Sequence, residues 1–551
     1  MKKIIAMLLA VIMVLGLAAC GSKPVETTEA PKATQGSSVN QPTETPDWKE
    51  EHPTWLCEEK TTLVIHTHDS DGAGIPIPSN DQGFWKALEE YTNVHIEWNL
   101  VPAGDYSTVL SSRMAAGEYM GDIVRTGGSS DAHDGGLNGL FVEMTDLFNN
   151  YMPHTQKWLA DNNCDMSKYW LNADGTMYNI SSIANATENH QIIIWNTEWL
   201  KKIGKEVPDT VDEVYEVLAA MKAAGDLNGN GQADEIYLSA HNWTQLLSAD
   251  VLPAMFGLEK WSGWSADENG KVFFTDTTEN FKAYVKFANQ LWEEGLIDQE
   301  LFSVSWDWDR MTALVAQDRV GAICTWSSFA PELGALTPAG AQDPMGEYFS
   351  NSKAVKSEWN NNQPKIVCDW GYFYGYAIST ECKNPELAAA WMDVVMADPY
   401  VLDLRVWGEE GTHYVVDETG ARVKLTDESG AFIPTQSDEW GGGQIAVAHI
   451  QTADMINSIY PQWYSDTYAE FFNGCTPIES TITGNFSDEE EELYNTYIDD
   501  FWTYTDEMVV KFITGEVDID AEWETYVATC EALGLAELTS VYQSLFDRVN
   551  G

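Results

Sequence analysis

Two rhythms of apolar and polar residues alternate along the chain. Thr61-Thr62-Leu63-Val64-Ile65-His66 is a β-like run, and Phe84–Tyr91 sets Phe84, Leu88 and Tyr91 on one side of a helix. In Asn93–Leu100, Val94, Ile96, Trp98 and Leu100 alternate with His95, Glu97 and Asn99, which predicts a second strand. A helix through Tyr106–Ala116 stops at Gly117, and Asp122-Ile123-Val124 is a short buried strand before the turn Thr126–Ser130. Gln191–Trp195 is a further apolar strand feeding a helix at Glu198–Ile203. Thr210 with Glu213 predicts a capped helix whose core face holds Val214, Leu218 and Met221, stopped by Gly225. Arg319–Trp326 and Tyr372–Ser379 are predicted strands, Pro385–Met396 a helix, and Asp488–Gly551 is almost wholly helical, with breaks at Gly515 and Gly534. Such alternation predicts an α/β protein with mostly parallel sheets covered by helices on both faces.

The ends of this pattern differ in kind. Met1–Cys20 opens with Lys2 and Lys3, continues as an apolar run from Ile4 to Leu17 and closes on Ala18-Ala19-Cys20. That is a secretory leader, too short and wrongly flanked for a spanning helix. Its ending resembles a bacterial lipobox, so Cys20 is expected to carry lipid and to become the mature N-terminus. The body is then expected at the outer face of the cytoplasmic membrane, held there by acyl chains alone. From residue 21 to 54 the chain is rich in Pro, Thr, Ser, Glu and Gln, as a disordered tether is.

Charge narrows the partners. With 30 basic and 86 acidic residues the formal net charge is −56. Such a body is repelled by nucleic acid and by anionic lipid, and its favoured ligands are neutral or cationic. The acidic run Asp488–Glu492 reads as a helix N-terminus. Besides Cys20 there are seven cysteines, widely spaced and with no C-x-x-C pair, so neither a disulfide framework nor a zinc site follows, although one pair could be bridged.

The sharpest local motif is Asp226-Leu227-Asn228-Gly229-Asn230-Gly231-Gln232-Ala233-Asp234-Glu235. Oxygen side chains at positions 1, 3 and 5, Gly at 6 and a carbonyl at 7 match the front half of a calcium loop. Position 12 is Tyr237 rather than Glu, so Asp234 and Glu235 would have to close the shell. The expected ligand set is Asp226, Asn228, Asn230, Gln232, Asp234 and Glu235, holding a structural calcium ion.

Several stretches together resemble the family 1 extracellular solute-binding proteins, the lipoprotein receptors of sugar ABC importers. They are Phe84–Trp98, Met114–Glu118, Ile192–Trp199, Val320–Trp326, Gly375–Ser379 with Lys383–Glu386, Lys511–Gly515 and Trp523–Val527. One departure is Asn93, where the family usually has Gly; Asn tolerates the same positive-φ turn. The resemblance implies a two-lobed periplasmic-binding-protein-like fold of type II, with ligand in the cleft between discontinuous lobes. The lobes are expected at 55–188 plus 360–398 and at 189–359 plus 399–551. It also implies a monomer with no catalytic residues, partnered by the permease subunits of an ABC importer.

Twenty-three tryptophans bear on the ligand, because sugar rings stack their C–H faces on aromatic rings and bond through their hydroxyls. Trp326 and Trp243 stand where relatives offer an aromatic ring to sugar. Thr126 and Asp131 follow a strand whose C-terminal end should face the cleft. Asn189 borders the first crossover, Trp370 and Tyr372 the second, and Trp407 with Glu409 lie beyond it. His190 is expected to be a structural histidine, and Trp308, on one helical face with Met311 and Val315, a packing residue. The expected function is therefore binding of a neutral oligosaccharide for delivery to the permease. The alternatives are a receptor for peptide or another solute and, with less to support it, a secreted glycoside hydrolase. A hydrolase needs two carboxylates flanking a bond, and among 86 acidic residues such pairs always occur. No G-x-S-x-G, H-E-x-x-H or phosphate-loop motif is present.

Overall fold

The computed structural model describes residues 47–69, 77–127, 129–185, 190–248, 250–260, 262–304, 307–428, 430, 432–435, 437–442, 447–451 and 460–550. Cys20 and Asn189 lie outside them, and of Trp370 and Tyr372 only the backbone is described. The helix Asp47–Glu51 belongs to an N-terminal unit, and the body beginning at His52 is one compact unit.

That body is built on two sheets. The first has six strands in the order Ile450–Gln451, Ile180–Asn185, Trp370–Ile378, Ile123–Thr126, Thr61–His68 and Val94–Val101. The second has four, in the order Phe349–Asn351, Gln191–Asn196, Ala322–Trp326 and Ser239–Ala240. Both are mixed, which corrects the expectation of mostly parallel sheets. Thr61–His68 runs parallel to both of its neighbours, but Trp370–Ile378 is antiparallel to strands on either side. Gln191–Asn196 is likewise antiparallel to both of its partners. Each of these two strands enters its sheet directly from the other lobe, so it arrives from the cleft end and runs against its neighbours.

Local signals explain the element ends. Asn93 takes φ 58° and caps the helix Gly83–Thr92 through its N–H to Glu89 O. Thr210 Oγ1 accepts from Glu213 N, while the Glu213 carboxylate accepts from Asp209 N. Asp488 opens a 27-residue helix whose capping box is Ser487 and Glu490, and its four acidic first-turn residues complement the helix dipole. The seven cysteines after Cys20 are all free thiols. No described helix is long and apolar enough to cross a membrane.

Each sheet has its own core. Ile65, Phe84, Ile180, Ile183, Tyr376 and Trp391 pack around the first, and Ile193, Trp195, Trp199, Leu218, Phe281 and Ile323 around the second. The expected boundaries move. Val401, Leu404, Trp440, Val447 and Ile450 join the first core, and Ile450–Gln451 pairs with Ile180–Asn185, so these residues, expected in the second lobe, go with the first. Ile366 packs in the second core and Lys365–Val367 pairs with Thr476–Ile478, so re-entry to the first lobe comes after Val367 rather than at 360. The chain thus crosses between lobes after Asn185, after Val367 and after Gln451. The lobes also touch away from these crossings: Asn485 Nδ2 donates to Leu171 O at 2.7 Å and Lys168 faces Glu479 at 3.6 Å.

Candidate functional site, the cleft between the lobes

Strand ends and the short segments after them supply the cleft walls, as α/β topology requires. In the second lobe Trp326 ends the strand Ala322–Trp326 and meets Phe329 edge-on, with centroids 5.8 Å apart. Phe329 packs at 4.7 Å on Trp308, which lies nearly flat on His241 at 5.3 Å and 17°. Trp243, at the start of the helix Trp243–Ser248, stacks on Phe302 at 5.9 Å and 25°. The rings of Trp326, Phe329, Trp308, Trp243 and Phe302 are all half-buried. Two half-buried ring groups therefore flank the cleft end of this sheet. His241 is buried beneath Trp308 with Nε2 3.2 Å from Thr325 Oγ1, and burial holds its pKa down at about 4, so it is a neutral ring at physiological pH. Trp308 packs against the second core, as expected of it. Its ring partners His241 and Phe329 lie in other segments, which a helical spacing cannot reveal.

The first lobe presents a polar edge. Thr126 ends its strand fully buried, and its hydroxyl accepts from Asn179 Nδ2 at 3.1 Å. Gly375, opposite Thr126, leaves room for this pair, since a Cβ there would lie 2.0 Å from Asn179 Nδ2. Asp131 bends back over Gly127, where a Cβ would sit 2.3 Å from Oδ2. Desolvation raises the Asp131 pKa above the usual carboxylate range, against the Gly127 N–H that favours its charge. Arg125, His68 and Tyr374 stand on the same edge: the Arg125 guanidinium lies 3.3 Å over the Tyr374 ring and His68 meets that ring edge-on at 6.1 Å.

The structure does not join Trp407 and Glu409 to these walls as open ligand groups. The Trp407 ring is flanked by Lys424 at 4.9 Å and Arg422 at 5.4 Å and packs on Tyr414. Glu409 is exposed and accepts from the Thr412 hydroxyl of its own turn. His190 is structural: buried at the first crossing, it sets Nδ1 2.6 Å from Tyr468 OH and Nε2 2.9 Å from Val367 O.

The loop at Asp226 folds as its sequence requires. Gly229 and Gly231 take φ of 77° and 81°, and the Asp226 carboxylate accepts from the N–H groups of Gly229, Asn230 and Gly231. Asp234 Oδ1 accepts from both Asn228 Nδ2 and Asn230 Nδ2, so one carboxylate and two amides meet across the loop. Glu235 is turned elsewhere, accepting from Leu227 N at 2.8 Å. Among the described residues no three His, Cys, Asp or Glu side chains group as a metal cluster. The amide oxygens of Asn228 and Asn230 accept from Asn230 N and Gln232 N, and together with the Asp226 and Asp234 carboxylates they are the hard oxygen donors of this loop, of the kind that suits calcium. Arg319 Nε holds Asp234 Oδ2 at 3.0 Å and leaves Oδ1 for the loop.

Two lobes joined by three crossings, with half-buried rings at the crossing end of one sheet and polar groups at that end of the other, are the frame of a solute-binding receptor. The sequence pattern of the bacterial extracellular solute-binding proteins matches residues 76–401, and the chain belongs to that family, whose members bind rather than transform their solutes. Over 97% of its length it is 27% identical to the fructooligosaccharide ABC transporter substrate-binding protein FusA of Streptococcus pneumoniae, covering 95% of that protein. It is 30% identical over 259 residues, 46% of the chain and 49% of the relative, to the lipoprotein LipO of Bacillus subtilis. In structure it is similar to FusA in complex with kestose, with a TM-score of 0.68 and 23% identity over 89% of this chain and 99% of that one. An EF-hand mutant of FusA in complex with fructo-nystose gives the same TM-score at 24% identity, with the same coverage. The alginate-binding protein AlgQ2 without calcium ion gives 0.67 at 21% identity, over 90% of this chain and 99% of that one. These likenesses establish the two-lobed fold.

Proposed function

We propose that the protein is a lipid-anchored receptor that holds an oligosaccharide between its lobes and delivers it to an ABC permease. The observation that carries this is the pair of ring groups at the cleft, Trp326–Phe329–Trp308 and Trp243–Phe302. Flat half-buried rings match the C–H faces of sugars, and the polar edge around Asp131 matches their hydroxyls. A net charge of −56 favours an uncharged glycan, and the likeness to FusA over nearly the whole chain favours a short oligosaccharide. Closure of the lobes on ligand is the signal that separate permease chains would read. The leader ending at Cys20 supports lipid attachment, with the body acting as a monomer outside the cytoplasmic membrane.

Asp226, Asn228, Asn230, the carbonyl of Gln232 and Asp234 would hold a calcium ion, with Glu235 joining if it releases Leu227 N. Bound there, the ion neutralises the loop carboxylates and ties the end of the helix Val211–Ala224 to the chain that follows.

The test is a thermal-shift screen of the mature body, begun after Cys20, against neutral oligosaccharides, uronate oligomers and short peptides, with and without calcium. Ligand that binds only the native state stabilises it by about 2.7 kcal/mol at a hundredfold excess over Kd. A shift with one neutral glycan class, lost in Trp326→Ala, supports the reading. Shifts with peptides alone overturn it.

A further inference from the structure

Arg125 is out of keeping with its surroundings. In a chain where acidic residues outnumber basic ones nearly threefold, Arg125 as a whole residue is 4% exposed and no described carboxylate pairs with its guanidinium. Its carbonyl accepts from Tyr106 OH at 2.7 Å, but among the described residues its guanidinium has no hydrogen-bond partner, and Nη1 is shielded from water. Its contacts are ring faces, Tyr374 at 3.3 Å and Tyr106 at 5.9 Å. Cation–π contact offsets part of the loss of water, but it leaves the N–H donors in the guanidinium plane unused. A buried charge with an unpartnered donor is destabilising, so a structural role alone is a poor account of it.

Position supplies the account. Arg125 is the penultimate residue of Ile123–Thr126, and His68 ends the parallel strand Thr61–His68. Tyr374 lies in the half of Trp370–Ile378 nearer the second crossing, beyond the register point Gly375–Thr126. All three therefore occupy the sheet edge from which the chain passes to the other lobe, the edge that faces the cleft. The two neighbouring histidines add no charge: burial holds both His66 and His68 at a pKa of about 4, and Arg125 itself helps to keep His68 neutral. Among the described residues Arg125 thus stays a fixed positive group on this wall, with its face closed by Tyr374 and Nη1 unpaired.

We propose that Arg125 is a ligand-binding residue, donating from its planar fork to two adjacent hydroxyl oxygens of the bound sugar. The proposal rests on the receptor reading above. A guanidinium presents parallel N–H groups in a fixed plane, which suits vicinal oxygens better than an ammonium does, and stacking on Tyr374 fixes that plane before ligand arrives. The aromatic wall of the second lobe would then grip the ring faces while Arg125 selects the hydroxyl pattern.

The experiment uses the mature body as wild type, Arg125→Lys and Arg125→Met, with kestose, maltotriose, cellotriose, xylotriose and trigalacturonate as probes. Two readouts are taken: the melting temperature without ligand, and the Kd by calorimetry for each probe that shifts the wild type. We expect Arg125→Met to melt at or above the wild-type temperature and to bind the neutral trisaccharide at least tenfold more weakly. Arg125→Lys is expected between the two in affinity. A ligand-free melting temperature several degrees below wild type overturns the proposal, since the stack on Tyr374 would then be structural. Unchanged affinity for the neutral sugar overturns it as well and leaves the receptor reading intact. So does a loss confined to trigalacturonate, which would assign the fork to a carboxylate. If no sugar shifts the wild type, the receptor reading itself fails and the inference falls with it.

Discussion

His190 Nδ1 lies 2.6 Å from the hydroxyl of Tyr468, 278 residues further along the chain. The other ring nitrogen faces Val367 O at 2.9 Å. A carbonyl only accepts, so Nε2 carries the proton, and in the neutral ring Nδ1 accepts from Tyr468. One imidazole thus ties the first crossing, the strand before the second crossing and the helix Gln462–Gly474 that follows the third.

Removing that hydroxyl should loosen the crossings. Tyr468→Phe leaves Nδ1 buried without its donor, at an expected cost of about 1–3 kcal/mol. The check is the urea midpoint of the ligand-free body. An unchanged midpoint would mean that the contact contributes nothing to the fold.

The aromatic wall predicts where affinity resides. Trp326→Ala and Trp308→Ala should each weaken sugar binding by about 2 kcal/mol, the scale of a buried aromatic anchor. Trp407→Ala should leave affinity unchanged, because Lys424, Arg422 and Tyr414 already cover its ring. Calorimetry on the three variants decides it; equal losses in all three would contradict the assignment of the wall.

Calcium should stabilise the native state through the loop at Asp226. Added calcium raises the melting temperature of the wild type above its value in a chelator, by mass action. In Asp226→Ala the difference disappears. Identical melting curves with calcium and with chelator would remove the ion from this reading.

Asp276 makes a pH prediction with a definite sign. Its carboxylate is buried, accepting from Ser262 Oγ at 2.6 Å and Gly263 N at 3.1 Å, and desolvation raises its pKa to about 7 from 3.8. Between those values the native state holds a proton that the unfolded chain has released. Its contribution to stability is therefore full below pH 3.8 and is lost as pH rises through 7. Asp276→Asn can keep both bonds, with Oδ1 facing Gly263 N–H and Nδ2 facing Ser262. The wild type should gain more in melting temperature than this variant between pH 8 and pH 5. Parallel pH profiles would contradict the shift.

Much of this was legible along the chain because it depends on neighbours in sequence. The strand at Val94–Val101, the αL turn at Asn93, the stop at Gly225 and the acidic helix start at Asp488 follow from periodicity and capping. The loop at Asp226 followed from residue spacing alone, and order and spacing of short matches were enough to identify the family. What failed was information carried by long-range pairing. Mixed strand direction, and the return of Ile450–Gln451 to the first lobe, are set by hydrogen bonds such as those of Ile450–Gln451 to Ile180–Asn185. The cations over the Trp407 ring come from a hairpin fifteen residues and more further on, which the sequence around it does not announce. Trp308 and Arg125 carried no signal of their own; His241, Phe329 and Tyr374 gave them meaning only once three segments met. Local conformation is decided within a turn or a strand, whereas a binding surface is made by which distant residues are buried together, and only the tertiary structure decided that.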